Sequence, residues 1–357
     1  MIPFANCPPL DTPHPLTKML LAWYKTHARP LPWREAPEPY ATWLSEVILQ
    51  QTQVATGTAY WHRFLEHYPT VEDLASAPIE SIMGLWKGLG YYSRARNLHT
   101  AARSVVHDHC GELPILAKDW QRLPGVGEYT AAAIASICHG EPVPVVDGNV
   151  QRVLARLFDI LDPVDRKAGR DAIRNWSEAL ISHEDPGSSN QAWMELGATV
   201  CKPKNPQCGE CPVQIGCLAR KRDTWSARPV KQAKKPPVAM TVLFLVSLRH
   251  RKGTREWWVE RRPERGIWGG LECFPTTMRE ETALTECDGA SVLGPFEHAL
   301  THRKLTGWFV LDAGAHIAPD GQQKPHGEWV SLEDDGRAWP RMVEKALSEL
   351  RAWAVKN

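Results

Sequence analysis

The chain has no run of 18 or more apolar residues, which excludes a membrane-spanning helix of ordinary length. Its opening stretch, MIPFANCPPLDTPHP, lacks the basic segment and following apolar core of a secretory signal and reads as a short Pro-rich lead-in. There is no internal repeat, Walker phosphate loop, G-x-G-x-x-G turn or Ser-His-Asp order, so phosphate-loop, dinucleotide and serine-type acyl-transfer chemistry have no motif to rest on. Net charge is scarce too: 42 Lys and Arg against 41 Asp and Glu leave +1 over 357 residues. The 9 cysteines are odd in number and come without a secretory signal. That combination points to a reducing, cytoplasmic setting, where clustered thiols are metal ligands before they are disulfides.

A chain of 357 residues is expected to fold as two domains, each with its own core. From Leu16 to Ala219 apolar residues recur at helical spacing, as in WLSEVILQQTQVATGTAYWHRFLEHY, LASAPIESIMGLWKGLG and NVQRVLARLFDIL. Short breaks rich in Pro, Gly and Asp separate these segments, predicting an all-α domain over residues 1–225. SARPVKQAKKPPVA is basic and Pro-rich and predicts a linker over 226–238. Beyond it, MTVLFLVSLRH, EWWVERRP, KLTGWFVLDAG and GEWVSLED read as strands, and WPRMVEKALSELRAWAVK as an amphipathic helix. Residues 239–357 are therefore expected to form a smaller α+β domain. Between 201 and 240, nine Lys and Arg face two Asp and Glu, which suits a polyanion such as nucleic acid or, equally, a solvated linker.

The tightest constellation is Cys201-x6-Cys208-x2-Cys211-x5-Cys217, four thiols within 17 residues, with Pro206, Gly209, Pro212 and Gly216 to turn the chain. Zinc sites favour two C-x-x-C pairs and only one is present; ligation by four cysteines also suits a [4Fe–4S] cluster, so spacing alone leaves both open. Lys202, Lys204, Arg220, Lys221 and Arg222 give the loop a positive surface. Cys7, Cys110, Cys138, Cys273 and Cys287 are scattered and read as small buried apolar residues.

LPGVG, with Leu123, Gly125, Val126 and Gly127, stands between KDWQRL and the small-residue helix TAAAIAS. A helix N-terminus attracts phosphate, and glycines let the backbone come close to it; the alternative is an ordinary interhelix turn. Asp147, in PVPVVDGNV, is placed to cap a helix or to project a carboxylate from its mouth, with Asn149 next but one to orient it. Glu46, in WLSEVILQQ, lies among Leu44, Val47, Ile48 and Leu49. If buried, its carboxyl is raised toward the range of a general acid; if it faces solvent, it is an ordinary helix glutamate. Two carboxylates in unlike surroundings are what glycosidic-bond chemistry requires, one to protonate the leaving group and one to stabilise the cationic sugar.

In this order, LPGVG, VVDGNV and the four-cysteine loop resemble the helix–hairpin–helix, iron–sulfur DNA glycosylase superfamily. WLSEVILQQTQV, GLGYYSRARNL, DGNVQRVLAR and GIWGGLECFP resemble its adenine-specific branch, the MutY adenine DNA glycosylase family, and the likeness runs through nearly the whole chain. The resemblance implies an all-α helix–hairpin–helix glycosylase domain with a [4Fe–4S] loop at 201–217, followed by a Nudix-like domain over 239–357. It implies a monofunctional enzyme that removes adenine mispaired with 8-oxoguanine or guanine in double-stranded DNA, as a monomer near the bacterial nucleoid.

Position by position, Glu46 matches the acid that protonates adenine, and Asp147 the aspartate that stabilises the oxocarbenium ion. Asn149 and Tyr129 match residues that support that pair, and Arg34 one that lines the adenine pocket. Gln51 and Tyr91 match residues that enter the base stack, and LPGVG the phosphate-contacting hairpin. Cys201, Cys208, Cys211 and Cys217 match the cluster ligands.

Relatives resembling endonuclease III carry a lysine where this chain has Tyr129, and position 151 is Gln151 here, so the imine step that leads to strand cleavage has no amine at either place. In the C-terminal domain, Arg279-Glu280 is followed by Glu281, Thr282, Ala283 and Leu284. The acidic pair of a nucleotide-hydrolysing Nudix box is missing, which implies base recognition in place of pyrophosphate hydrolysis. Leu300, Thr301 and His302 stand where bacterial relatives have a Phe-Ser-His stretch at 8-oxoguanine. Two rival readings are a bifunctional lyase of the endonuclease III type and a non-catalytic mismatch-binding protein.

Overall fold

A computed structural model describes residues 14–233, 236–263, 266–279, 291–300, 302–311, 327–331, 333 and 337–356. Residues 1–13 of the Pro-rich lead-in, Cys7 among them, and Glu280 to Leu284, Cys287 and Thr301 lie outside the described residues. The chain divides into two compact units, Met1–Ile79 with Arg94–Ala233, and Glu80–Ser93 with Lys234–Asn357. Among the described residues no helix is long and apolar enough to cross a membrane.

The first unit is helical. Proline occupies the first turn of Pro15–His27, Pro32–Glu35, Pro39–Leu49 and Pro186–Thr199, where its fixed φ helps and its missing N–H costs nothing. Helix Pro186–Thr199 packs against Gly148–Leu157, Pro15–His27 and Glu128–His139, and Pro39–Leu49 packs against Val54–His67 and Glu128–His139. Trp43 of Pro39–Leu49 and Trp120 of Ala117–Trp120 meet edge to face at 5.5 Å, and both are fully buried. Each such side chain removed from water contributes about 2–3 kcal/mol, which holds the two helices of this contact in register.

Two long helical segments of the sequence reading break. WLSEVILQQTQVATG divides into Pro39–Leu49 and Val54–His67, and Gln51 between them takes φ 58. The interruption is held by Arg94, whose Nη1 donates to the carbonyls of Val47, Ile48 and Gln50 at 2.7–2.9 Å, satisfying a helix C-terminus that would otherwise lack donors. LASAPIESIMGL divides into Val71–Ser76 and Ile79–Leu85, because Pro78 forces Ala77 into extended backbone (ψ 142). Within the expected linker, Arg228 is buried and pairs with Asp159 at 2.8 Å, and Val230 accepts from Val164 N–H. Residues 228–230 are thus fastened to the first unit. Cys110 is exposed, not buried as expected; it sits at φ 54 just past helix Ser93–Asp108.

The second unit has two sheets. Its strands are β1 (Val238–Val246), β2 (Leu248–Arg251), β3 (Thr254–Arg261), β4 (Glu272–Cys273), β5 (Thr276–Arg279), β6 (Ser291–Ala299), β7 (Arg303–Leu311) and β8 (Gly327–Ser331). One sheet runs β5-β1-β7-β6 with β1 and β7 parallel; the other runs β2-β3-β4 with β8 also on β3. Phe244 of β1 stacks on Phe309, its register partner in β7, at 4.5 Å. Helix Arg341–Lys356 lays Met342, Ala346 and Leu350 into the same core. Strand β6 was not legible in SVLGPFEHA because Gly294-Pro295 interrupts its pattern. The interruption is a bulge between Leu293 and Phe296, tolerated because β6 is a sheet edge.

Candidate active site

Glu46 lies on the last two turns of Pro39–Leu49, facing the start of Glu128–His139. Its carboxyl is held at a pKa of about 7: burial raises it most, a hydrogen bond with Tyr129 lowers it, the charge of Asp147 raises it and that of Arg34 lowers it. The residue as a whole is half-buried. Tyr129, one residue into its helix, carries its hydroxyl beside Glu46 and 3.6 Å from Met194 Sδ. Burial, then the charges of Glu46 and Asp147, push its phenol well above the ordinary range, so it stays neutral.

Asp147 is the N-cap of Gly148–Leu157, as its sequence suggested, with Oδ1 accepting from Val150 N–H at 2.7 Å. Oδ2 accepts from Asn149 Nδ2, also at 2.7 Å. Burial raises the Asp147 pKa, while these hydrogen bonds and the charge of Arg152 oppose the rise. One Asp147 oxygen thus caps the helix, and the other meets Asn149.

Arg152 continues the chain of contacts. Its Nη2 donates to Asn149 Oδ1 and to Gly197 O, and its Nε to Cys201 O, each at 2.8 Å. Gly197 is required here, since a Cβ would stand 2.5 Å from Asn149 Cβ and 3.0 Å from Asn149 backbone atoms.

One helix forms the back wall. Pro186–Thr199 presents Gln191 to Tyr24 OH (3.2 Å), Met194 to Tyr129, Glu195 to Arg34 and Arg29, and Gly197 to Asn149. The spacings of three and four place Gln191, Met194 and Glu195 on one face. Arg34 sits 5.6 Å from the Tyr24 ring centroid and bonds Glu195 at 3.0 Å. Sequence reasoning missed Arg29, Arg94, Arg152 and Glu195: Arg94 and Arg152 lie inside GLGYYSRARNL and DGNVQRVLAR but were given no role there.

The four thiols Cys201, Cys208, Cys211 and Cys217 line one cavity, with Val153, Leu196 and Trp225 among its walls. They lie within electrostatic reach of one another: burial pushes Cys211 up to about 12, and its three neighbours add to the rise. Arg156, buried on Gly148–Leu157, points Nη1 at Cys201 Sγ (3.4 Å) and Lys202 O (2.8 Å), and Nη2 at Pro203 O (3.1 Å). Among the described residues no group of three or more His, Cys, Asp or Glu converges tightly enough to hold a single ion. Thiols that surround a space fit a polynuclear cluster better than one zinc, and a bound metal would deprotonate them against the pull of burial.

In LPGVG the side chains of Leu123 and Val126 are buried, and Gly125 and Gly127 lie on the surface. What this turn offers a partner is therefore backbone. Gly125 takes φ 76, and a Cβ there would meet Asn97 Cβ at 2.5 Å. Gln51 and Tyr91, each exposed, hold φ of 58 and 48, backbone that non-glycine residues adopt at a cost and that clusters at functional sites. Tyr91 and His302 belong to the second unit, His302 exposed immediately before β7. The other predicted residues, Thr301 apart, belong to the first.

Residues 44–178 match the HhH-GPD superfamily base excision DNA repair protein family, residues 201–214 the iron–sulfur binding domain of endonuclease III, and residues 245–349 the NUDIX domain. The adenine DNA glycosylase of Homo sapiens is 48% identical over 213 residues, 57% of this chain. The chain spans only 39% of that longer protein. The adenine DNA glycosylase of Buchnera aphidicola subsp. Acyrthosiphon pisum is 31% identical over 353 residues, 95% of this chain and 99% of that one. A solved thermostable thymine-DNA glycosylase aligns with a TM-score of 0.54 at 28% identity, over 58% of this chain and 95% of its own. The chain carries the iron–sulfur module and an N-terminal helical domain followed by a Nudix-like one. With a full-length relative at this identity, the chain belongs to the adenine DNA glycosylase family.

Proposed function

We propose that this protein is a monofunctional DNA glycosylase that removes adenine mispaired with 8-oxoguanine or guanine from duplex DNA. The observation that carries the reading is the pair of carboxyls in unlike surroundings: Glu46 with a pKa of about 7 beside Tyr129, and Asp147 held by a helix N-terminus and Asn149.

The adenine leaves the stack, at a cost of about a few kcal/mol that a mispair lessens. Gln51 and Tyr91 fill the gap, and the backbone of LPGVG holds phosphate. Glu46 gives its proton to adenine N7 while the C1′–N9 bond breaks and the electron pair goes to the base. Asp147 stabilises the cationic sugar. Water then adds to C1′ and returns a proton to Glu46, so atoms and charge balance as a hydrolysis. Tyr129 and Gln151 supply no amine, so the strand stays whole.

Cys201, Cys208, Cys211 and Cys217 would hold the [4Fe–4S] cluster, which would tie their loop into a fixed shape. Residues 1–225 form the glycosylase domain, 226–238 the linker and 239–357 the domain that reads 8-oxoguanine, through Thr301 and His302. The enzyme acts as a monomer in the cytoplasm, on the chromosome.

The test is the identity of the released base. Mass spectrometry should find free adenine from duplexes with adenine opposite 8-oxoguanine or guanine, and none from an A:T duplex. Release of a pyrimidine, or of adenine equally from A:T, would contradict the reading.

A further inference from the structure

Glu195 takes no part in the reaction just written, yet its side chain is buried, 0% exposed. It gathers two cations. Arg29 donates from Nε at 2.6 Å, from Nη2 at 3.0 Å and from its backbone N–H at 3.3 Å, and Arg34 donates from Nη2 at 3.0 Å. Arg34 is fixed from further sides, with Nη1 on Arg29 O at 3.2 Å and the Tyr24 ring alongside. Only 15% of the Arg34 side chain stays exposed.

Buried ion pairs seldom stabilise a fold better than apolar residues of the same volume would, so such a pair is better explained by the geometry that it fixes. An arginine presents a planar fork of donors, which a carboxylate can orient from two sides. The helix that carries Glu195 also sets Met194 against Tyr129 and Gly197 against Asn149, so its register is already tied to the pair of carboxyls.

We propose that Glu195 is a positioning residue that holds the Arg34 guanidinium in the base pocket, so that the extruded adenine is oriented for proton transfer from Glu46. The inference rests on the base-excision reading. A guanidinium only donates, so it suits the acceptor ring nitrogens of adenine and opposes a purine that presents an N–H there.

The test is a double-mutant cycle on the full-length protein, read by single-turnover excision from a duplex holding one A:8-oxoguanine pair. Glu195→Gln and Arg34→Met should each slow excision about tenfold or more while duplex affinity changes less than about threefold. The double variant should be no slower than Arg34→Met alone, within about twofold. Glu195→Asp keeps the charge but shortens its reach; it should show a smaller loss that vanishes in the Arg34→Met background, and it carries the test if Glu195→Gln does not fold. Wild-type rates in Glu195→Gln, or losses that multiply in the double variant, would overturn the proposal. A wild-type protein that releases no base would instead overturn the base-excision reading, and this inference with it.

Discussion

Asn149 stands between Asp147 and Arg152, giving a hydrogen bond to one at 2.7 Å and accepting one from the other at 2.8 Å. Asp147 is thereby tied, through two side chains, to the carbonyl of Cys201 in the four-cysteine loop. Arg152→Gln should loosen Asp147 and leave the carbonyls of Gly197 and Cys201 without their donor. We expect excision slowed about tenfold or more and stability lowered by about 1–3 kcal/mol. Single-turnover kinetics and thermal melting check the two separately, and an unchanged rate would detach Arg152 from the site.

Glu46→Gln removes the proton donor and keeps the shape. Excision should fall below detection while the variant still binds a mispaired duplex within about threefold of the wild type. A folded variant that has lost binding would show that Glu46 serves recognition instead of chemistry.

The pH dependence follows from the same residue. With a pKa of about 7 against an ordinary 4.5, Glu46 is protonated in the folded protein over a range where it is ionised in the unfolded chain. As general acid it is lost as pH rises through about 7, so the excision rate should fall on the alkaline side. For stability, the raised folded pKa means that the contribution of the buried, protonated carboxyl is fully present below about 4.5 and lost as pH rises through about 7. Glu46→Gln cannot ionise. Its melting temperature should therefore rise relative to wild type from pH 5 to pH 8, and a gap that does not vary with pH would contradict the shift.

Gly125→Ala puts a side chain at φ 76, with Asn97 Cβ 2.5 Å away. The strain should cost about 1–3 kcal/mol and displace the exposed turn. Affinity for undamaged duplex and for a mispair should weaken by the same factor, because a backbone contact to phosphate carries no sequence information. A loss confined to the mispair would move LPGVG from the backbone to the lesion.

Residues whose neighbours in sequence are also their neighbours in the site were legible from the chain alone. Asp147 announced a helix mouth and the four cysteines a single loop, while Glu46 stood among apolar neighbours that left its burial open. Glu195 and Arg152 were not legible, because each reads as an unremarkable charged residue on a helix. Their meaning comes from partners 161 and 49 positions away, Arg34 and Cys201. Arg94 hid for the same reason: its bonds to Val47, Ile48 and Gln50 are what end the Glu46 helix, and nothing in LQQTQV marks that break. In the second unit, Gly294-Pro295 concealed an edge strand. The grouping of Glu80–Ser93 with Lys234–Asn357 also has no local cue.

Hydrolysis of the adenine glycosidic bond with the strand left intact is separated from every rival by a single-turnover assay on a duplex with one A:8-oxoguanine pair, divided into samples with and without alkali. Product should appear only in the alkali-treated samples, because Tyr129 cannot form an imine with the sugar. Strand breaks without alkali would contradict it and demand an amine elsewhere in the site; tight binding with no product in either sample would leave only a mismatch-binding protein.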